Sequence, residues 1–330
     1  MRFSDIQGQD KAIHILQRAI QNQHIAHAYL FTGPEGVGKK NTALALAQYL
    51  NCEAADPQTF SSCGQCASCV QIDCGSHPDL IFLEPDGNSI KIEQIRNLLS
   101  KISLRNYEST YKVAIINDAH LMTEQAANCL LKTLEEPTDN TVFILVTSQV
   151  QNLPITILSR CQQVQFNVLP SAVIQDILQR LHPERQSQIG LASALSQGSV
   201  STAEVLLANE EIAAARQDFY RLLNQLEQFN PADIILWCEQ WDKNKKMVRS
   251  LLELAQLWYH DLLILRTTGR LELLVNQDYL AQLKAQQQEP QTLLQVLQYF
   301  QTAISQLESN ASPRLVLEVV LLKTKTIFSP

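Results

Sequence analysis

Residues 27–47 constrain the fold more than any other stretch. A short, mostly apolar segment at 28–32 runs into the turn Gly33-Pro34-Glu35-Gly36-Val37-Gly38-Lys39-Lys40, and Ala43, Leu44, Ala47 and Leu50 then follow with helical spacing. The turn matches the phosphate-binding pattern G-x-x-x-x-G-K up to its last letter. Gly33, Gly36 and Gly38 open backbone angles closed to other residues, so successive N–H groups can face an anion. The helix that follows adds the positive end of its dipole. Lys39 stands where a lysine reaches terminal phosphates. Ser or Thr should come next, its hydroxyl holding Mg²⁺, but the residue is Lys40, a cation that repels the metal. Thr42, two residues on, points to a different helix face. The cradle is written and its metal ligand is missing.

Further along, the pattern alternates. Residues 5–23 carry Ile13, Leu16 and Ile20 three and four residues apart, which marks one helix face. Strands are expected at 28–32, 80–84, 112–117, 141–147 and 162–166. Helices are expected at 90–102, where Ile92, Ile95, Leu98, Leu99 and Ile102 share a face, and at 123–135, stopped by Pro137. Such alternation implies a mostly parallel sheet covered on both faces. Beyond Val168 the strand signals stop. Residues 170–208 read as two or three short helices broken near Pro183 and Gly198, and 211–327 as longer helices rich in Leu and Gln. Residues 251–265 are apolar nearly all round, which suits the centre of a bundle. A chain of 330 residues has room for two or three such domains.

Half of the eight cysteines cluster: Cys63, Cys66 and Cys69 form C-x₂-C-x₂-C, with Cys52 upstream. Tetrahedral Zn²⁺ takes four thiolates, and a tight turn can present them together. Free thiols in a reducing cytosol are the competing reading, an iron–sulfur cluster a further one, and Cys74 competes as a ligand. No His or Glu nearby suggests an open catalytic position, so the expectation is structural Zn²⁺ on Cys52, Cys63, Cys66 and Cys69. Cys129, Cys161 and Cys238 read as small core residues.

The run Leu121-Met-Thr-Glu-Gln-Ala-Ala-Asn-Cys-Leu-Leu-Lys-Thr-Leu-Glu-Glu-Pro137 resembles the signature helix of bacterial clamp-loader AAA+ subunits. Leu158-Ser-Arg-Cys161, after Phe143-Ile-Leu-Val-Thr147, matches the same family. The four cysteines sit where that family carries its zinc module, between the first helix and second strand of the nucleotide fold. The likeness is strong over the first half and weaker over the second, which includes Trp258-Tyr-His-Asp-Leu-Leu-Ile-Leu. It implies an α/β AAA+ P-loop-type parallel-sheet domain over 1–167, with the zinc module at 52–74. A helical lid over 168–210 and an all-α oligomerising collar over 211–330 would follow. The implied partners are the ATPase motor subunits and the delta subunit of a five-membered ring. Through that assembly the chain would meet the sliding clamp and primed DNA.

Set against the family, the departures are informative. An active member carries Asp then Glu after the strand ending in Ile115-Ile116, the Asp supporting Mg²⁺ and the Glu polarising the attacking water. Here the pair is Asn117-Asp118, and Ser201 stands where the lid arginine should follow Gly198-Ser199-Val200. With Lys40, three losses fall on parts that touch ATP·Mg²⁺, while Thr147 keeps the first sensor position. Arg160 keeps its full context. In the family this arginine enters the neighbour's ATP site as a finger, with effects of order 10³–10⁵ in rate. A local ion pair worth about 1 kcal/mol or less is the alternative. The resemblance therefore implies a non-hydrolysing stator without ATPase activity of its own, and leaves ATP binding open.

Two other classes compete. An active AAA+ ATPase, whether the motor of the same machine or another enzyme, needs Ser/Thr, Asp-Glu and a lid Arg, all missing here. A zinc-dependent nucleic-acid-binding regulator needs a basic stripe, whereas 26 basic and 33 acidic residues give a formal net charge of −7. No apolar run reaches membrane-spanning length, and Met1-Arg2-Phe3-Ser4-Asp5 leads into a polar amphipathic segment rather than a secretory signal. A cytoplasmic location is expected.

Overall fold

Short buried strands separated by helices pair most simply as a parallel sheet, each crossover returning over one face. The computed structural model describes residues 2–103, 110–208, 210–242, 244–309 and 311–328. Its first elements are α1 (Asp10–Gln21), β1 (Ala28–Thr32), α2 (Lys39–Leu50), α3 (Ala67–Asp73), β2 (Leu80–Leu83) and α4 (Ile92–Ile102). Then come β3 (Lys112–Ile116), α5 (Glu124–Glu135), β4 (Thr141–Thr147), the one-turn helix α6 (Ile155–Leu158) and β5 (Gln162–Gln165). The strands stand in the order β2-β3-β4-β1-β5, and every pair is parallel.

Register fixes what meets at the sheet's carboxyl edge. Thr32 is level with Thr147 and Gln165, and Ile116 with Leu145. The turn after β1, the pair after β3 and the end of β4 therefore share one edge, where ligands of open α/β sheets bind. One face of the sheet packs Tyr29, Phe31, Ile115 and Ile144 against Leu16 of α1 and Ala43 and Leu46 of α2. The other packs Leu30, Ala114, Phe143 and Leu145 against Ile95 and Leu98 of α4 and Leu130 and Leu134 of α5.

The elements depart from expectation in three places. The helix expected at 5–23 splits into a 3₁₀ turn at Phe3–Asp5 and α1, which starts at Asp10, an acid well placed at the positive end of the dipole. The run 80–84, apolar enough to read as a buried strand, forms the edge strand β2 with three of its four residues half-exposed. The cysteine-rich insert contains a helix, α3, which starts immediately after Cys66 and carries Cys69.

The chain forms two compact units, Met1–Ile177 with Gly198–Ser201, and Leu178–Gln197 with Thr202–Pro330. The remaining helices are α7 (Ser171–Leu181), α8 (Gln186–Leu195), α9 (Val200–Ala208), α10 (Glu210–Asn224), α11 (Pro231–Glu239), α12 (Lys245–Thr267), α13 (Leu280–Ala285), α14 (Pro290–Glu308) and α15 (Pro313–Phe328). The breaks at Pro183 and Gly198 fall where the sequence puts them. In the second unit α12 is the central helix, as its all-round apolarity requires. Leu251, Leu252, Leu254, Ala255, Trp258, Tyr259 and Leu262 are buried among α10, α13, α14 and α15. Among the described residues no helix is long and apolar enough to cross a membrane.

Among the described residues of that helix, one polar side chain is buried. Asp261 is fully buried and accepts hydrogen bonds from Val275 N–H (3.0 Å), Asn276 N–H (2.7 Å) and Asn276 Nδ2 (2.8 Å). Asn276 Oδ1 in turn accepts from Tyr220 Oη and Arg216 Nη2, both at 2.9 Å, and Arg216 forks onto the Asp278 carboxylate at 2.7 and 2.8 Å. Burial pushes the Asp261 carboxyl above its usual pKa, and the three donors pull it back. The network fastens the segment after α12 to the core. Asp261→Ala would strand three N–H donors, each at a desolvation cost of about 1–3 kcal/mol. A net loss of about 3 kcal/mol is expected, measured as a lower urea midpoint against Leu263→Ala, a half-buried control on the same helix.

Candidate functional site

The turn between β1 and α2 is held on three sides. A Cβ added at Gly33, whose φ is +139°, would lie 2.3 Å from the Phe166 carbonyl oxygen. One at Gly36, with φ +72°, would lie 2.1 Å from both Ser199 Oγ and Ser201 Oγ. Only hydrogen fits at either place. Val200 N–H donates to the Gly36 carbonyl at 2.9 Å, so the segment bearing Ser201 lies directly on the loop. Gln9, also buried, donates from Nε2 to Val37 O (3.2 Å) and Asn167 O (2.8 Å), and accepts from Asn167 N–H (3.1 Å). It ties the loop to the segment after β5.

Lys39 is only 7 % exposed. Its Nζ donates to Gly33 O at 2.6 Å and to Pro34 O. Burial lowers its pKa to about 8, against the upward pull of Asp118 and Glu35. The ammonium thus sits on the loop's own carbonyls. Lys40 turns elsewhere. Its Nζ pairs with Glu84 at 3.0 Å and stands 4.5 Å from the Phe82 ring centroid, against the end of β2. Thr42 is buried and donates to Gly38 O at 2.9 Å, so its hydroxyl is turned into the helix rather than toward a metal. Asn117 donates from Nδ2 to Asp118 Oδ2 at 2.9 Å, and Asp118 adopts φ +48°. Thr147 is buried, accepts from Gln149 N–H at 3.1 Å, and lies 3.3 Å from His120 Nδ1. The fold therefore gathers Gly33, Gly36, Gly38, Lys39, Asn117, Asp118, Thr147 and Ser201 at one edge.

Arg160 stands apart from them. Gln162 is level with Tyr29, so Arg160 lies toward the amino end of β1, whereas Gly33 follows its carboxyl end. Roughly 13 Å of strand separates those levels at about 3.3 Å per residue. The guanidinium pairs with Glu135, the last residue of α5, and donates from Nη1 to Thr156 O (2.9 Å) and Ser159 Oγ (3.2 Å). Nearby, Ile155 is 79 % exposed.

The cysteine cluster is the second site. The sulfurs of Cys52, Cys63, Cys66 and Cys69 all lie within 4.8 Å of one another, with Cys63–Cys69 at 3.9 Å and Cys52–Cys66 at 4.0 Å. A tetrahedron of Zn–S bonds of about 2.3 Å needs sulfurs about 3.8 Å apart, so the set fits the ion. Exposed Cys74 is not among the four. Backbone N–H groups of Gln65 and Cys66, at 3.4 and 3.3 Å, hold the Cys63 thiol down to about 6. Burial pushes Cys52 and Cys69 up. A thiolate pair desolvated in this way is disfavoured until a divalent cation joins it. Gln48 of α2 supports the cluster, donating to Cys69 O at 3.1 Å and accepting from Ser62 Oγ at 2.9 Å. Cys161 and Cys238 are buried thiols, each pushed up to about 12 by desolvation.

Residues 8–170 match the family described as DNA polymerase III, delta subunit. The delta-prime subunit of DNA polymerase III from Bacillus subtilis (strain 168) is 34% identical over 325 residues, 95% of each chain. The chain belongs to the delta-prime family of DNA polymerase III clamp-loader subunits. It is also similar to the tau subunit from the same organism, 29% identical over 346 residues, spanning 98% of this chain but only 61% of tau. A DNA polymerase III gamma-subunit-related protein from Thermotoga maritima overlays at TM-score 0.45 with 19% identity, covering 96% of this chain and 99% of that one.

Within this delta-prime family member, Gln9, Gln48, Glu84, His120 and Glu135 are site residues that sequence reasoning passed over. Their partners lie between 10 and 158 positions away in several cases, and none belongs to a spacing pattern. The exception is Glu135, which stands inside the signature helix and could have been singled out there.

Metal-replete protein is expected to carry one Zn²⁺ per chain, measured by elemental analysis. Because ligand thiols must lose their protons to bind, release should rise as the pH falls, and it should set in below the metal-free Cys63 value of about 6 because the bound ion competes with the proton. Cys63→Ser should weaken binding and expose the insert to proteolysis. Metal-free protein after metal-replete purification would refute the assignment.

Proposed function

We propose that this chain is a non-hydrolysing stator subunit of a DNA polymerase III clamp loader, lending Arg160 to the ATP site of a neighbouring motor subunit. The observation that carries this reading is the condition of the three positions that would handle ATP·Mg²⁺. Lys40 replaces the metal-binding hydroxyl and pairs with Glu84 at 3.0 Å. Asn117 replaces the metal-supporting Asp and bonds to Asp118, at 2.9 Å. Ser201, at the lid-arginine position, lies against Gly36. Nothing in this set supplies a carboxylate for Mg²⁺, a glutamate for water, or a lid cation.

Arg160 retains the chemistry of a finger. Its charge is permanent and its planar fork matches phosphate oxygens. Its place at the amino end of the sheet, beyond reach of its own cradle, supports action across a subunit boundary. The ion pair that holds it is partly exposed and worth about 1 kcal/mol or less. Under this reading Zn²⁺ is structural, holding the 52–74 insert. The helices after Val168 form a lid over 168–210 and an oligomerising collar over 211–330. Partners are the motor subunits and the delta subunit, and the sliding clamp and primed DNA through the assembled, cytoplasmic complex.

The isolated chain is expected to release no phosphate from ATP·Mg²⁺ above background. In a complex reconstituted with its partner subunits, Arg160→Ala should assemble normally and lower the clamp- and DNA-stimulated ATPase by abolishing turnover at one site. Arg160→Lys should restore it only in part, since a point charge lacks the bidentate geometry. Wild-type turnover and clamp loading by the Arg160→Ala complex would reduce this chain to a scaffold.

A further inference from the structure

We propose that Glu135 is the positioning residue for Arg160: it fixes one side of the guanidinium so that the other is presented outward. The proposal rests on the finger reading above and extends it to a second side chain.

The hydrogen-bond inventory of the guanidinium is the starting point. Arginine has five N–H donors in a rigid plane. Nη1 donates to Thr156 O at 2.9 Å and to Ser159 Oγ at 3.2 Å. Nη2 donates to Glu135 Oε1. Among the described residues, Nε–H and the second Nη2 hydrogen have no partner. Nε and Nη2 form one edge of the plane, the two-pronged edge that matches a pair of phosphate oxygens. The anchors therefore leave Nε–H and one Nη2 hydrogen for a further acceptor.

The anchors also differ in kind. Thr156 O and Ser159 Oγ belong to α6 and its C-terminal turn, four and one residues before Arg160, and travel with it. Glu135 belongs to α5, packed on the sheet through Leu130 and Leu134, 25 residues away in sequence. It alone ties the guanidinium to a separate element. A long arginine side chain held only by its own turn keeps most of its rotamer freedom, and freedom at the reacting end lowers the effective concentration of the group. Both members of the pair are partly exposed, at 32% for Arg160 and 49% for Glu135, so the held arginine faces outward.

The test uses the reconstituted complex, with stimulated ATP turnover and the KM for ATP measured together. Glu135→Ala should lower turnover about fivefold, the rate equivalent of losing one partly exposed ion pair, while KM stays unchanged. Glu135→Gln keeps the shape and one acceptor, folds wherever the wild type folds, and should recover more than half of that loss. In an Arg160→Ala background, Glu135→Ala should have no further effect, since there is nothing left to position. Turnover at or above wild type in both Glu135 variants, with Arg160→Ala still low, would overturn the positioning role and leave the finger standing. An additive loss in the double variant would overturn it too, because Glu135 would then act apart from Arg160. If Arg160→Ala is itself silent, the finger reading has failed, and this proposal fails with it.

Discussion

The cradle depends on the parallel pairing of β1 between β4 and β5. Because Thr32 is level with Thr147 and Gln165, Gly33 leaves the sheet beside the end of β4 and under Phe166. That backbone register, rather than any side chain, positions the loop, the Asn117-Asp118 pair and Thr147 together. The same register carries Arg160 to the other end, since β5 runs parallel to β1 and is entered from its amino side. A sheet of this kind separates what a chain can offer its own ligand from what it can offer a neighbour.

Electrostatics then distinguishes the two sites. In the phosphate-type loop the positive charges are already matched internally. Lys39 rests on Gly33 O and Pro34 O, and Lys40 on Glu84. In the cysteine cluster the opposite holds. Four sulfurs stand within 4.8 Å of one another, so full deprotonation would crowd four negative charges, a repulsion that a divalent cation relieves. Backbone N–H groups around Cys63 lower the cost for one of them. The first site has its cations matched within the chain, and the second has the spacing of a metal site.

The helical unit solves a different problem. Its central helix is surrounded by apolar neighbours, which gives cohesion but little to specify where the segment after it should lie. Asp261 supplies that specificity by receiving three N–H donors in a place where an unpaired carboxylate would be costly. The Arg216–Asp278 pair and the Tyr220 hydroxyl extend the network through Asn276. Packing and polar satisfaction thus act on different segments of one bundle.

Local signals in the sequence were enough for the alternation of strands and helices, the helix stops at Pro137, Pro183 and Gly198, the burial of α12 and the gathering of four cysteines. Each is written within a few residues, in periodicity, backbone restriction or ligand spacing. Lys40, Asn117-Asp118 and Ser201 were legible for the same reason, as residue types that depart from a motif at fixed places. Tertiary structure alone decided strand order, the edge position of β2 and the helix inside the cysteine insert. It also decided which residues hold the site in place. Gln9 on the loop, Glu84 on Lys40 and Glu135 on Arg160 act between segments that only folding brings together, and no local pattern of residue types records a contact of that range.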